Sequence, residues 1–274
     1  MITLRAGNAV ADVYPEAGGR LGQLNLGDGP ILRGPENGVA ELGWAFWGSY
    51  PLLPWCNRIP NGEFTFERRS GRVPVNWVDG TAIHGLTADA PWTVVSVDDA
   101  TVELSIEASE GPYTVTGIER FALFADALEQ HLEVVNRGEH RVPVGLGIHP
   151  WFRVSEVRVP ADLVWPGDPM PTGPPVAVRP DEDLRTPRYA PAMDRCYTGL
   201  TGTSIEAGGI RLSWSGPVTQ VVVYSAEPGW VCVEPVTMSN NALQFAAQGV
   251  PGTGVVGLDP GASLSVDYRF EVTR

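Results

Sequence analysis

The chain has 274 residues, with 32 acidic side chains, 19 basic ones that are all arginine, 4 histidines and a formal charge of −13. Such a surface has no basic stripe to release counterions from nucleic acid and is repelled by an anionic membrane, so a neutral small molecule is the partner it least disfavours. Hydrophobic residues at 43% and charged ones at 19% exclude a disordered chain. Three cysteines, Cys56, Cys196 and Cys232, are far apart and without a CxxC pair, which argues against a disulfide framework or a thiolate zinc site. The first residues, Met1–Pro15, lack the apolar core of a secretory signal. No apolar run has the roughly 18 residues a membrane span needs. A reduced, cytoplasmic protein is expected.

Glycine (32) and proline (25) recur throughout and cut the chain into short runs. No window shows helical periodicity between caps, so the expected class is all-β, a large antiparallel sandwich or barrel with few or no helices. In chain order, Arg69–Gly71 reads as a hairpin turn, Asp98–Ala100 as a second and Asn136–Gly138 as a third. Between the second and third, Val102, Leu104, Ile106 and Ala108 alternate with Glu103, Ser105 and Glu107, as in a half-buried strand. Pro160–Pro191 holds nine prolines but is punctuated by Leu163, Val164, Trp165, Val176 and Val178, which predicts a packed surface excursion rather than a tether. The last run is the clearest: Leu264, Val266, Tyr268, Phe270 and Val272 share one face of a strand over 263–273. No internal repeat is visible, and one domain is expected.

Chemistry-bearing residues fall at the ends of these runs. Arg58, bracketed by Trp55 and Ile59, reads as a buried bidentate donor or a structural ion pair. His84 precedes Gly85 and His149 precedes Pro150, so each imidazole is expected where a strand stops, at a sheet edge or cleft mouth, with a satisfied core histidine as the alternative. His131 and His140 stand among charges and read as solvated. The four histidines lack the local spacing of a metal site. Glu234 shares a strand face with Trp230 and Cys232 and is expected to end that strand at Pro235; partial desolvation there makes a carboxylate a better base. Asp194 follows the proline-rich stretch. Trp55, Trp92, Trp151 and Trp230 lie within a few residues of these groups. Flat aromatic faces beside carboxylates, histidines and arginine suit a sugar, and filling a β-core is the alternative use. No phosphate-cradling loop and no GxSxG elbow occur.

In this order the pieces resemble the aldose 1-epimerase (galactose mutarotase-like) family. Gly48–Phe64, containing Trp55-Cys-Asn-Arg58-Ile-Pro-Asn-Gly62, is similar to its N-terminal signature. Ile83-His84-Gly85-Leu86 through Trp92, Gly147-Ile-His149-Pro-Trp151-Phe, Met170-Pro-Thr-Gly173 and Cys232-Val-Glu234-Pro235 resemble its later motifs, with Trp151 where the family has Tyr. The resemblance spans roughly residues 15–270. It implies one domain over 1–274, a β-supersandwich with a sugar cleft, Glu234 as general base and His149 as general acid. It implies substrate binding by Arg58, His84, Asp194, Asn57 and Trp151, with Asp194 in the segment that matches most loosely.

The implied reaction interconverts α and β anomers of a free aldose by ring opening and closure. It calls for a carboxylate and an imidazole on opposite sides of one ring, and for no metal, nucleotide or other cofactor. The expected partner is an aldose, with neither nucleic acid nor membrane, and the protein a monomer or homodimer. A hexose-6-phosphate 1-epimerase is an alternative, its nearest phosphate-holding cluster being Arg68, Arg69 and Arg72. A non-catalytic sugar-binding protein is a second. A glycosidase would need a second carboxylate, and none stands beside Glu234 in sequence.

Overall fold

A computed structural model describes residues 1–37 and 43–273. The expected all-β class holds: the strands form two large antiparallel sheets, and the one α-helix among the described residues is Ala242–Ala247. The ten-stranded sheet runs, in spatial order, Ile2–Ala6, Ala9–Tyr14, Arg20–Asn25, Ser49–Leu52, Gly147–Arg153, Trp230–Val236, Gln220–Tyr224, Asp194–Leu200, Ala161–Val164 and Val176–Ala177. The seven-stranded sheet runs Ser204–Ala207, Ile210–Ser215, Ser263–Val272, Ala127–Asn136, Tyr113–Leu123, Thr101–Glu110 and Thr93–Val97.

Period-2 alternation drives this arrangement. In Ser263–Val272 the side chains of Val266, Tyr268 and Phe270 are buried, and in Thr101–Glu110 those of Val102, Leu104 and Ile106 are. They join residues of the ten-stranded sheet, such as Leu52, Ile148, Val231 and Val233, in one continuous core. The Tyr268 hydroxyl crosses between the sheets and donates to the Pro235 carbonyl at 3.2 Å.

The proline-rich stretch is a packed excursion, as expected. Ala161–Val164 pairs with Asp194–Leu200 and with Val176–Ala177, while Trp165 and Leu184 are buried. Among the three turns, Asp98–Ala100 joins Thr93–Val97 to its neighbour Thr101–Glu110. The other two differ. Arg69–Gly71 lies inside a strand, and the reversal is at Glu67 and Arg68, both at positive φ. Asn136–Gly138 joins strands that do not pair, because Val142–Val144 pairs instead with Val256–Leu258. Nor do the prolines after His149 and Glu234 end their strands. Both strands continue, to Arg153 and Val236.

The candidate residues are gathered by the middle of the large sheet. Its five adjacent strands from Ser49–Leu52 to Asp194–Leu200 come from four distant parts of the sequence. Cross-strand partners share a face. Register therefore sets Tyr50 beside His149, and two residues along it aligns Trp151, Cys232, Tyr224 and Asp194. Pairing of Gly147–Arg153 with Trp230–Val236 holds at Gly147↔Val236 and from Trp151↔Cys232 to Arg153↔Trp230. Between these it lapses, where Pro150 and Pro235 have no N–H to give. That gap is the place of His149 and Glu234.

Candidate active site

His149 and Glu234 meet across the gap, with His149 Nε2 3.1 Å from Glu234 Oε1. Both side chains are buried. Adjacent strands make them direct neighbours. Burial pushes the Glu234 carboxyl well up, reinforced by Asp194 and opposed by Arg58. Burial also takes the His149 imidazole down to about 3, with Arg20 and Arg58 adding their positive fields and a backbone hydrogen bond opposing. Glu234 Oε2 and His149 Nδ1 are both buried and have no hydrogen-bond partner among the described residues.

The short strand pair Arg58–Pro60 and Thr81–Ile83 brings the next residues in. The His84 backbone N–H donates to the Asn57 carbonyl at 3.1 Å. Asn57 and His84 both hold left-handed backbone conformations, at φ 57° and 61°. A non-glycine residue there costs about 1–2 kcal/mol, a kind of strain that gathers at functional sites. Burial, then His149 and Arg58, hold the His84 imidazole well below the usual histidine range. Its Nδ1 and the Asn57 amide nitrogen are likewise buried without partners among the described residues.

Arg58 proves to be an ion-paired donor. Its Nε is 3.0 Å from Asp79 and its Nη1 is 3.4 Å from Asp194. Burial raises the Asp194 carboxyl, and Asp168 adds to this against the pull of Arg58. The Asp194 backbone N–H donates to Asp168 at 3.2 Å, so the proline-rich excursion holds this strand end.

These groups line a pocket of about 170 Å³ that contains Asn57, Arg58, His84, His149, Trp151, Asp194 and Glu234 together. Its apolar walls are Ala45, Phe46, Tyr50, Trp77, Ile83 and Tyr224, none of which was expected at the site from the sequence, although Ile83 stands in the motif around His84. Tyr50 lay in the quoted Gly48–Phe64 motif and could have been found by alternation along its strand. Trp77 and Asp79 lie in a turn with no such signal. Two tryptophans go elsewhere: Trp55 and Trp92 are core residues, 1% and 4% exposed. Trp230 stands outside the pocket, against Arg33 and Arg153. His131 is on the outer face of the seven-stranded sheet, 2.7 Å from Asp267, in a larger hollow that holds no candidate residue. Arg68, Arg69 and Arg72 are exposed and away from the pocket.

Comparison with known proteins decides the family. The aldose 1-epimerase family model matches residues 1–271. The chain belongs to the aldose 1-epimerase family. It is 34% identical to the uncharacterized protein YphB of Escherichia coli K12 over 136 residues, 48% of this chain and 45% of YphB. A second uncharacterized relative from that organism, YihR, is 31% identical over 113 residues, 39% of this chain and 37% of YihR. Each match spans less than half of the curated relative. A galactose mutarotase-like protein from Clostridium acetobutylicum superposes with a TM-score of 0.84, at 21% identity over 99% of this chain and 94% of that one. Galactose 1-epimerase from Lactobacillus acidophilus gives 0.76, at 16% identity over 99% and 93%. At these identities the likeness shows a shared fold, the galactose mutarotase-like fold. Among the described residues no helix is long and apolar enough to cross a membrane.

Proposed function

We propose that this family member is a mutarotase acting on free aldoses. The observation that carries the reading is the buried His149–Glu234 pair, 3.1 Å apart, with unpartnered polar atoms in an aromatic-walled pocket. One mobile proton on that pair suffices. With the proton on His149, Glu234 is a carboxylate. It takes the proton of the anomeric hydroxyl while His149 delivers its own to the ring oxygen, the C1–O5 bond breaks and the aldehyde forms. The pair then holds the same single proton, now on Glu234. Rotation about C1–C2 and reversal of both transfers close the ring on the other face. Both environmental effects favour the transfers: burial makes the imidazolium a stronger acid and the carboxylate a stronger base. His84, Asn57, Arg58 and Asp194 bind the hydroxyls, and Trp151 offers an aromatic wall. Metal and nucleotide have no step to perform in this scheme.

Charge favours a free sugar over a 6-phosphate. Among the described residues Arg58 is the one lysine or arginine lining the pocket, and it already faces Asp79 and Asp194. A phosphate dianion would also meet the carboxyl groups of Asp194 and Glu234. We read the whole chain, 1–274, as one domain working in the cytoplasm as a monomer or homodimer on a small-molecule aldose, without nucleic acid or membrane. Polarimetry tests the function: purified protein is expected to speed the rotation change of fresh α-glucose or α-galactose, and EDTA to leave the rate unchanged. Acceleration with a hexose 6-phosphate alone would overturn the substrate assignment. Sugar binding without acceleration would favour the non-catalytic reading.

A further inference from the structure

The strand Arg20–Asn25 opens with a side chain that has no place in the scheme above. Arg20 is fully buried, at 0% exposure, and among the described residues no carboxylate lies within ion-pair distance of it, Asp89 acting only through its field. Its guanidinium is consumed by backbone carbonyls instead. Nε donates to Ala17, Nη1 to Trp44 at 2.6 Å and Trp47 at 2.9 Å, and Nη2 to Ala88 at 2.9 Å. Trp44–Trp47 is the segment that presents Ala45 and Phe46 to the pocket. Ala88 lies four residues past His84. One rigid fork thus ties the Trp44–Trp47 wall to the loop that follows His84. The wall has a second brace, since the Ala45 carbonyl accepts from Trp151 Nε1 at 2.9 Å and from the Tyr50 hydroxyl at 3.2 Å.

Arg20 also lies against Tyr50, its Cζ 5.1 Å from the ring centroid. The same ring is stacked on the His149 imidazole, with centroids 4.6 Å apart and planes 15° apart. The cation and the imidazole are therefore no more than about 10 Å apart, through an aromatic ring rather than water. The other groups facing His149 are Glu234 on the next strand, His84, Arg58 and the ring of Trp151.

We propose that Arg20 is a positioning residue for this site: it fixes the Trp44–Trp47 wall against the His84 loop and, through Tyr50, sets a permanent positive charge behind His149. The second half rests on the role given to His149 above. Burial takes the guanidinium down to about 10, so it remains cationic at neutral pH. A fixed cation disfavours every protonated state of the coupled His149–Glu234 pair, so its removal moves both macroscopic ionisations of the pair upward.

Two variants separate wall from charge. Arg20→Lys keeps the charge but cannot span four carbonyls. KM for the aldose is expected to rise about three- to tenfold while the pH profile of kcat/KM stays in place. Arg20→Gln removes the charge as well, and the whole profile is expected to move alkaline by about one pH unit, the size of one charge at about 10 Å in a partly desolvated site. A superposable profile in folded Arg20→Gln overturns the electrostatic role, and an unchanged KM in Arg20→Lys overturns the wall. Hydrogen exchange of Arg20→Lys gives a readout independent of turnover. Faster exchange is expected in 44–50 and 84–88 with the seven-stranded sheet unchanged, and wild-type exchange in both segments overturns the proposal even if the mutarotase reading itself fails.

Discussion

At the scale of single residues, the unusual feature is two ionisable groups buried 3.1 Å apart whose environments push them in opposite directions. Glu234→Gln keeps shape and hydrogen-bonding capacity but abolishes the base. Its kcat is expected to fall roughly 10²–10⁴-fold with little change in KM. His149→Asn is expected to match it. The double variant should be little worse than the poorer single one, since one proton serves both groups; stopped-flow polarimetry on the three proteins checks this, and additive losses would contradict it. Arg58→Ala acts differently. It removes contacts made before and during reaction and leaves Asp79 and Asp194 without their cation, so KM is expected to rise together with a fall in kcat/KM.

Among the elements, short connections complete the site that the strands of the large sheet begin. The His84 turn depends on Gly85, at φ 82°, where an added Cβ would come within 1.9 Å of the Leu53 carbonyl oxygen. Gly85→Ala therefore requires the two segments to part. A loss of about 2 kcal/mol or more, measured by urea denaturation, is expected together with a raised KM from displaced His84. Trp55→Ala, by contrast, empties core beside Tyr113. It is expected to cost about 3–5 kcal/mol while leaving the KM of the surviving folded protein unchanged.

For the molecule as a whole, the shared core also contains a buried carboxyl group away from the pocket. Glu119 and Gln130 face each other on adjacent strands of the seven-stranded sheet, both 0% exposed, with Gln130 Nε2 donating to Glu119 at 2.7 Å. Burial raises the Glu119 carboxyl well above its ordinary value, the Gln130 hydrogen bond opposing. A raised carboxyl favours the folded state fully only below its unfolded pKa, and that contribution is lost as pH rises toward the folded one. Glu119→Gln is thus expected to gain stability relative to wild type between about pH 4 and pH 8, read as denaturation midpoints at the two pH values. An unchanged difference would show Glu119 ionised alike in both states.

Local rules legible in the sequence determined the all-β class, the period-2 strands at 101–110 and 263–272, and the strand positions of His149 and Glu234, because side-chain alternation is a property of the chain itself. The motif resemblance added the sugar-cleft expectation and named seven residues, all of which line one pocket. Tertiary structure alone decided how they meet. Strands 49–52 and 230–236 each pair with 147–153 across roughly 80 to 100 residues of chain, and no local signal specifies that register. Prolines 150 and 235, which read locally as strand ends, open a gap in the ladder instead, because only a neighbouring strand gives a missing N–H its consequence. Trp55, Trp92 and Trp151 each follow a proline and are each buried, yet only Trp151 lies on a strand of the large sheet and lines the pocket. Asp79 and Arg20 carried no signal at all, since an ion-pair partner and a brace for carbonyls are defined by the atoms that folding brings to them.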